Sequence, residues 1–280
     1  MARHRVLTSA QLKQMFFGSS DRARHRLVDL HRLGVLDRFE PMSVAFGRRH
    51  YHYVLGPEGA AILAAEQDED VEGAVRRCKR DRALALSQSQ RLEHILGVNE
   101  FAAALIGRSR TCENAELVDW LTESEAARWT DGIVRPDAWG VWRERGLELE
   151  FFLEYDRGTE TLARLEGKGR DYERFEVERG VTTWVLFAFT SPRRESKARA
   201  RLVVATVPLA TGVVAGPARP HEAIWLPVSG GTERVSLAEL ALEPKPPEAA
   251  ERAARSSARS WRFERSRPDD QQEEAPIEPP

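Results

Sequence analysis

The sequence predicts an α/β (α+β) chain in which a long helix joins two structured parts and a tail follows them. Three observations carry this. Residues 1–65 read as two helices followed by two short apolar strands with a basic turn between them. Residues 111–242 alternate helical and strand patterns, predicting a mixed sheet flanked by helices. From Glu243 apolar residues thin out, and seven of the fifteen prolines fall in the last 38 residues, which predicts a disordered tail over 243–280.

The first helix starts at Leu7-Thr8-Ser9-Ala10-Gln11-Leu12. Thr8 is placed to cap it, Gln11 completes a capping box, and Leu7 and Leu12 suit a hydrophobic staple. Leu12, Met15 and Phe16 form its expected buried face, and Gly18-Ser19-Ser20 breaks it. The second helix is expected from Asp21 to Leu33. Ala23, Leu27, Leu30 and Leu33 recur at helical spacing, while Arg22, His25, Arg26, Asp29 and Arg32 take the other side. Gly34 suits a C-cap. Val35–Phe39 and His50–Leu55 read as strands around the turn Gly47-Arg48-Arg49, and Gly56-Pro57-Glu58-Gly59 opens a helix through Ala65.

Helix, turn, helix and a basic-tipped hairpin form the pattern of a winged helix-turn-helix. Such a unit places the Asp21–Leu33 helix in the major groove of double-stranded DNA. Arg22, His25 and Arg26 are then the contacts of that helix, with Arg48 and Arg49 reaching the backbone or minor groove. The same unit also serves protein contacts or simple packing elsewhere, and Asp29 on the outer face weighs against a tight grip.

Residues 66–110 read as a linker, acidic and then basic, running into a helix from Leu84 to Ile106. Beyond it, Leu117–Arg128 reads as helix and Leu147–Tyr155 as a strand with strict alternation. Leu147, Leu149, Phe151, Leu153 and Tyr155 face one way; Glu148, Glu150, Phe152, Glu154 and Asp156 face the other. Thr159–Phe175 is expected helical, Thr183–Phe189 a buried strand, and Pro192–Arg201 a basic helix. Leu202–Val207 and Ala223–Pro227 are expected as later strands.

The candidate chemistry lies at Arg135-Pro136-Asp137, Leu153-Glu154-Tyr155-Asp156 and Lys168. Asp137 stands where a strand begins, Glu154 and Asp156 at the end of the next, and Lys168 on the inner side of the following helix beside Leu165 and Tyr172. Carboxylates on adjacent strands can hold Mg²⁺ or Mn²⁺, which polarises a phosphate and acidifies a water. A nearby lysine stabilises developing charge. Asp137, Glu154, Asp156 and Lys168 are therefore the candidate catalytic residues, with Asp137 and Glu154 as metal ligands. Glu160 and Arg164 share a ridge with Lys168 at intervals of four, so an ordinary i,i+4 pairing on that ridge is the alternative.

This spacing resembles the PD-(D/E)xK nuclease-like superfamily. The lysine of that pattern usually lies two residues after the second acid. Here that position is Asp156, and Lys168 substitutes from the neighbouring helix. A wider resemblance runs through VLTSAQL, RLVDLHRLGVL, YHYVLGPEG, LEHILGVNEF, RPDAW, FFLEYDRGTETLARLEGKGRDYERF and WVLFAFTSPRR, covering about residues 5 to 207. It is similar to the replication-relaxation family of plasmid and mobile-element proteins. The resemblance implies a DNA-binding protein acting in replication, relaxation or transfer of such an element, with replication or transfer proteins as further partners. Two readings stay open: a metal-dependent DNA endonuclease, or a non-catalytic winged-helix regulator with a degenerate nuclease-like domain. His94 and Asn99 also match the family pattern, and His94 is read as a packing or DNA-proximal residue. Glu100, Glu113 and Glu116 are candidates for an additional helix-borne acid.

Composition narrows the classes. Net charge is −2, yet residues 1–59 hold ten Arg or Lys against five Asp or Glu, a local basicity suited to a polyanion. Cys78 and Cys112 form no CxxC pair or Cys/His cluster, which argues against zinc or a disulfide framework and for a reducing, cytoplasmic setting. No apolar run is long enough for a membrane span and no signal peptide is evident. No phosphate-binding GxxxxGK[ST] loop and no GxSxG elbow occurs.

Overall fold

The computed structural model describes residues 2–40, 51–78, 89, 91–216, 218–247 and 249. The first unit comprises β1 (Leu7–Thr8), α1 (Ser9–Phe16), α2 (Ser20–Arg32), β2 (Leu36–Phe39), β3 (His52–Leu55), α3 (Pro57–Glu66) and α4 (Val71–Arg77). Its strands form an antiparallel sheet in the order β1-β3-β2. The capping box forms as expected: the Thr8 hydroxyl accepts from Gln11 N–H at 3.1 Å, and Gln11 Oε1 accepts from Thr8 N–H at 2.9 Å. Ser19 caps α2, which begins at Ser20, one residue earlier than expected. Phe16 and Leu33, expected inside, are 55% and 64% exposed. Each lies at the very end of its helix, past the last turn that the core covers. Arg48, Arg49 and their turn lie outside the described residues.

The long helix α5 spans Leu92–Thr111, and its expected beginning also lies outside the described residues. It closes the first unit's core, where Ala103 and Ile106 join Leu7, Leu12, Met15, Leu27, Leu36 and Tyr53. Polar side chains latch the two together. Buried Gln11 donates to Leu96 O at 2.9 Å, and buried Asn99 donates to Val6 O at 2.7 Å and His4 O at 3.0 Å. Buried donors and acceptors need such partners, so these bonds fix where the N-terminal segment crosses α5.

The second unit is a six-stranded mixed sheet in the order β4-β5-β6-β7-β8-β9. β4 (Ala115–Thr122), β5 (Ala138–Glu144) and β6 (Leu147–Asp156) form an antiparallel meander. β7 (Trp184–Phe189) and β8 (Leu209–Val213) continue parallel to β6, and β9 (Leu226–Pro227) closes antiparallel. Helix α5 covers one face through Val98, Phe101, Ala102 and Leu105 against Trp120, Phe151 and Leu153. The other face carries α6 (Glu123–Trp129), α7 (Leu162–Arg179) and α8 (Pro192–Leu202), packed on Trp139, Phe152, Val185, Phe187 and Phe189.

Two expected elements differ. Leu117–Arg128 is not one helix but the end of β4 followed by α6. A register shift between Leu117 and Asp119 breaks the two-residue alternation that would have marked the strand. Leu202–Val207 is not a strand: α8 runs through Leu202, and the strand is Leu209–Val213. That strand includes Gly212, where a Cβ would stand 2.9 Å from the buried Trp225 ring. At the start of the expected tail, Lys245 donates to Thr182 O at 3.2 Å, and Ala249 is fully buried.

Candidate functional site

Four chain segments meet at the carboxyl end of β6. The β5–β6 register pairs Ala138 with Leu153, so its continuation sets Asp137 opposite Glu154. Asp137 is anchored to the strand by two bonds: its N–H donates to Leu153 O at 3.0 Å, and its Oδ2 accepts from Tyr155 N–H at 2.7 Å. Glu154 emerges on the face covered by α7. There Lys168 Nζ donates to Glu154 Oε2 at 2.7 Å, and the Tyr172 hydroxyl donates to Oε1 at 2.6 Å. Lys168 and Tyr172 are four residues apart, one turn of α7, so both reach the same carboxylate. Thr161 caps α7 and fixes its start. Glu160 brings a further carboxylate 3.1 Å from Lys168 and 3.5 Å from Arg164, so the ridge pairing expected as an alternative coexists with the contact to Glu154.

The fourth contribution comes from α5. His94 Nε2 lies 2.9 Å from Asp137 Oδ1, and its ring packs edge-on against Tyr155 at 5.8 Å. Gly97 makes this approach possible, since a Cβ there would stand 2.2 Å from the Tyr155 ring. Glu93 forms an ion pair with Arg157 and holds the first turn of α5 to the end of β6. A small cleft of about 70 Å³ opens beside His94 and Asp137 and is lined by Arg3, His4 and Arg5 of the N-terminal segment. Arg3 is itself held by Glu125 at 2.8 Å and by Trp120 O.

Burial dominates the electrostatics of this cluster. It pushes the Glu154 carboxyl up to about 7; the Asp137 charge adds to the rise, and the Lys168 charge opposes it. Burial also works against charge on Lys168, but the adjacent Glu154 carboxylate outweighs it and holds the ammonium above its usual range. For His94, burial favours the neutral ring, yet the hydrogen bond to Asp137 and the Asp137 charge win, so its pKa is raised from 6.5. Burial together with the Glu154 charge raises the Tyr172 hydroxyl, which stays protonated as a donor. The site thus holds a fixed cation, a carboxyl poised near neutrality and an imidazole inclined to protonate.

Asp137, Glu154 and Lys168 stand in one cluster at the end of β6. Asp156 is not part of that group. Its Oδ2 accepts from Arg194 Nε and Nη2 at 2.9 and 2.7 Å, and its Oδ1 accepts from Gly158 N–H, so its charge is spent in a pair with α8. His94 is the member that sequence reasoning placed elsewhere. Its signal was the five-residue spacing to Asn99, which puts the two on different helix faces: one meets Asp137, the other latches the N-terminal segment. Glu116 is taken by Arg143 at 2.9 Å, and Glu100 is exposed. Arg22, His25 and Arg26 all stand exposed on the outer face of α2.

A family model described as replication-relaxation matches residues 1–183. The chain belongs to the replication-relaxation family. The match runs from the first unit through α5, the β4–β6 meander and α7, and stops just before β7. Every residue of the His94, Asp137, Glu154, Lys168 and Tyr172 cluster lies inside the replication-relaxation segment, whereas Arg194, the partner of Asp156, lies outside it. The chain has no significant match among curated proteins or among solved structures. No helix among the described residues is long and apolar enough to cross a membrane.

Asp137 and Glu154 offer hard oxygen donors of the kind Mg²⁺ or Mn²⁺ takes. Among the described residues, however, no three His, Cys, Asp or Glu side chains are arranged to hold a metal ion. Two carboxylates would leave most of an ion's shell to water or substrate phosphate, and each of their four oxygens already has a protein partner here.

Proposed function

We propose that this protein binds the DNA of a plasmid or integrative element during its replication, relaxation or transfer, and cleaves it with Mg²⁺ or Mn²⁺ at the Asp137–Glu154–Lys168 site. The observation that carries the reading is the contact of Lys168 with Glu154 at 2.7 Å, in a cluster whose other carboxylate, Asp137, stands across the strand pair. Membership in the replication-relaxation family supports the DNA context. In this reading the first unit acts as a winged helix, with Arg22, His25 and Arg26 of α2 toward the groove and Arg48 and Arg49 on the backbone. The second unit is its nuclease-like partner.

Each residue has a distinct task. Asp137 and Glu154 would hold the ion, which supplies Lewis acidity toward the phosphate when bound. Lys168 stabilises charge that develops on a phosphate oxygen. His94 orients Asp137 and, protonated, adds positive charge beside it.

One specific observation favours the second reading, a non-catalytic DNA-binding factor. Glu154 is buried, and both of its oxygens already accept bonds from Lys168 and Tyr172. A plasmid assay separates the two. With the full chain, supercoiled plasmid plus Mg²⁺ or Mn²⁺ is expected to be nicked, and Asp137→Asn or Glu154→Gln to lower the rate at least a hundredfold. Short-duplex binding is expected to weaken in Arg22→Ala/Arg26→Ala and to persist in the acid variants. Duplex binding by the intact protein without metal-dependent nicking selects the non-catalytic reading. Absence of duplex binding overturns both.

A further inference from the structure

A larger cleft, about 430 Å³, opens at the other end of α5, between its last turns and α1. Lys13 of α1, Arg108 and Arg110 of α5, and Arg219 and His221 from the segment after β8 line it. Four fixed cations thus come from three separate stretches of chain, and no Asp or Glu is among the lining residues. Glu144 and Glu222 lie close to His221. Glu144 accepts from Arg108 at 2.7 and 3.1 Å and from Trp142 Nε1 at 3.3 Å, and Glu222 accepts from Arg219 N–H at 3.0 Å.

The cations are held and still have donors to offer. Arg108 places Nε and Nη2 on Glu144, leaving its remaining N–H groups free to point elsewhere. Arg110 gives one bond to Gln14 O, at 3.1 Å. His221 Nδ1 is buried, with no hydrogen-bond partner among the described residues. That nitrogen is shielded from solvent, so the cations are what the cleft offers a ligand.

We propose that this cleft anchors the phosphate backbone of DNA at a position separate from both the outer face of α2 and the acid–lysine site. This rests on the DNA-binding reading above and adds a second contact to it. A chain of phosphates suits the cleft better than one small anion. With Arg108 paired to Glu144, Lys13, Arg110 and Arg219 carry the surplus charge; they come from three stretches of chain, and successive backbone phosphates, one negative charge each, can meet them separately. Arg108 and Arg110 sit on the same helix as His94. At about 1.5 Å of rise per residue the Arg108 position lies about 21 Å along α5 from His94, a span of about six base pairs of duplex.

The test compares three full-length proteins by fluorescence anisotropy on a 20-base-pair duplex from about 50 to 200 mM salt. They are the natural chain, Lys13→Ala/Arg110→Ala/Arg219→Ala, and a control of equal net charge, Arg128→Ala/Arg170→Ala/Arg201→Ala, taken from exposed positions on α6, α7 and α8. Arg108 is left in place because it neutralises buried Glu144. The cleft variant is expected to bind at least tenfold more weakly, with the log–log salt slope reduced by about 2 to 3, since each lost phosphate contact removes about 0.9. Its melting temperature should match that of the control, and the control's slope should match that of the natural chain. Equal loss in both variants overturns the proposal, because general charge attraction then explains it. Unchanged duplex binding in the cleft variant also overturns it, including where that variant loses only a thermal shift induced by inorganic phosphate. If the natural chain binds no duplex, the DNA-binding reading fails first and takes this site with it. If the natural chain binds and the cleft variant binds alike, only the cleft assignment fails.

Discussion

Lys168 and Glu154 show how one buried pair can carry both stability and chemistry. Glu154 is 2% exposed, and its carboxyl is pushed from an ordinary 4.5 up to about 7. A raised folded pKa means the folded state keeps its proton after the unfolded chain has lost it. Stability from this group is therefore full below about pH 4.5 and declines as the pH rises through about 7. Lys168 limits that decline by pairing with the carboxylate. In Lys168→Met the opposing charge is gone, so the loss should deepen as the pH rises. Denaturant unfolding should show a small gap between variant and natural chain at pH 5, widening toward about 3 kcal/mol at pH 8.5, the scale of a broken buried ion pair. Glu154→Gln/Lys168→Met should remove most of this pH dependence. An equal gap at both pH values would mean that Lys168 stabilises through packing alone. The acids and the lysine could be read from sequence because their spacing follows strand and helix periods. The role of His94 could not: it depends on where α5 lies against β6, and nothing local in LEHILGVNEF encodes that distance.

At the scale of elements, α5 is the piece that joins everything, since the first unit, the sheet and the acid cluster all pack against it. Its closeness to β6 depends on Gly97, whose missing side chain leaves room for the Tyr155 ring. Tyr155 sits between α5 and the sheet and packs against the buried cluster, so it has little freedom to retreat. Gly97→Ala should therefore push the first turns of α5 off the strand end and lengthen the His94–Asp137 contact. The expected readouts are a lower melting temperature and a His94 pKa, followed by NMR, that loses the rise Asp137 gives it. An unchanged His94 titration would show that the ring, not the helix, moves. Elements with strong local signals were legible: the Thr8–Gln11 capping box, the alternation of β6, and the apolar run of β7. β4 and β8 were not. In β4 a register shift hides the period, and in β8 small residues, required by the packing of Trp225 over Gly212, remove the apolar signal.

For the whole molecule, the question is where the folded body ends. Composition alone puts that boundary near Glu243, because prolines and charges dominate from there. Tertiary contacts extend further. Pro246 and Ala249 are buried, Lys245 reaches Thr182 O, and the Thr182 hydroxyl donates to Ala249 O at 3.4 Å. Lys245 remains exposed along its side chain; partial burial of its ammonium lowers its pKa, and the charges of Glu176 and Glu150 oppose that shift. The described residues 243–247 and 249 thus reach the start of β7 at Thr182, where Pro246 and Ala249 are buried, which a short sequence window cannot reveal. Composition reports what a segment can bury by itself, not what a neighbouring strand can bury with it. Two truncations separate these contributions. A chain ending at Ala250 keeps these contacts, and a chain ending at Leu242 loses them. The second should melt several degrees below the first, since the lost burial of Pro246 and Ala249 and two lost hydrogen bonds amount to about 1 to 3 kcal/mol. Equal melting temperatures would show that residues 243–249 rest on the body without stabilising it.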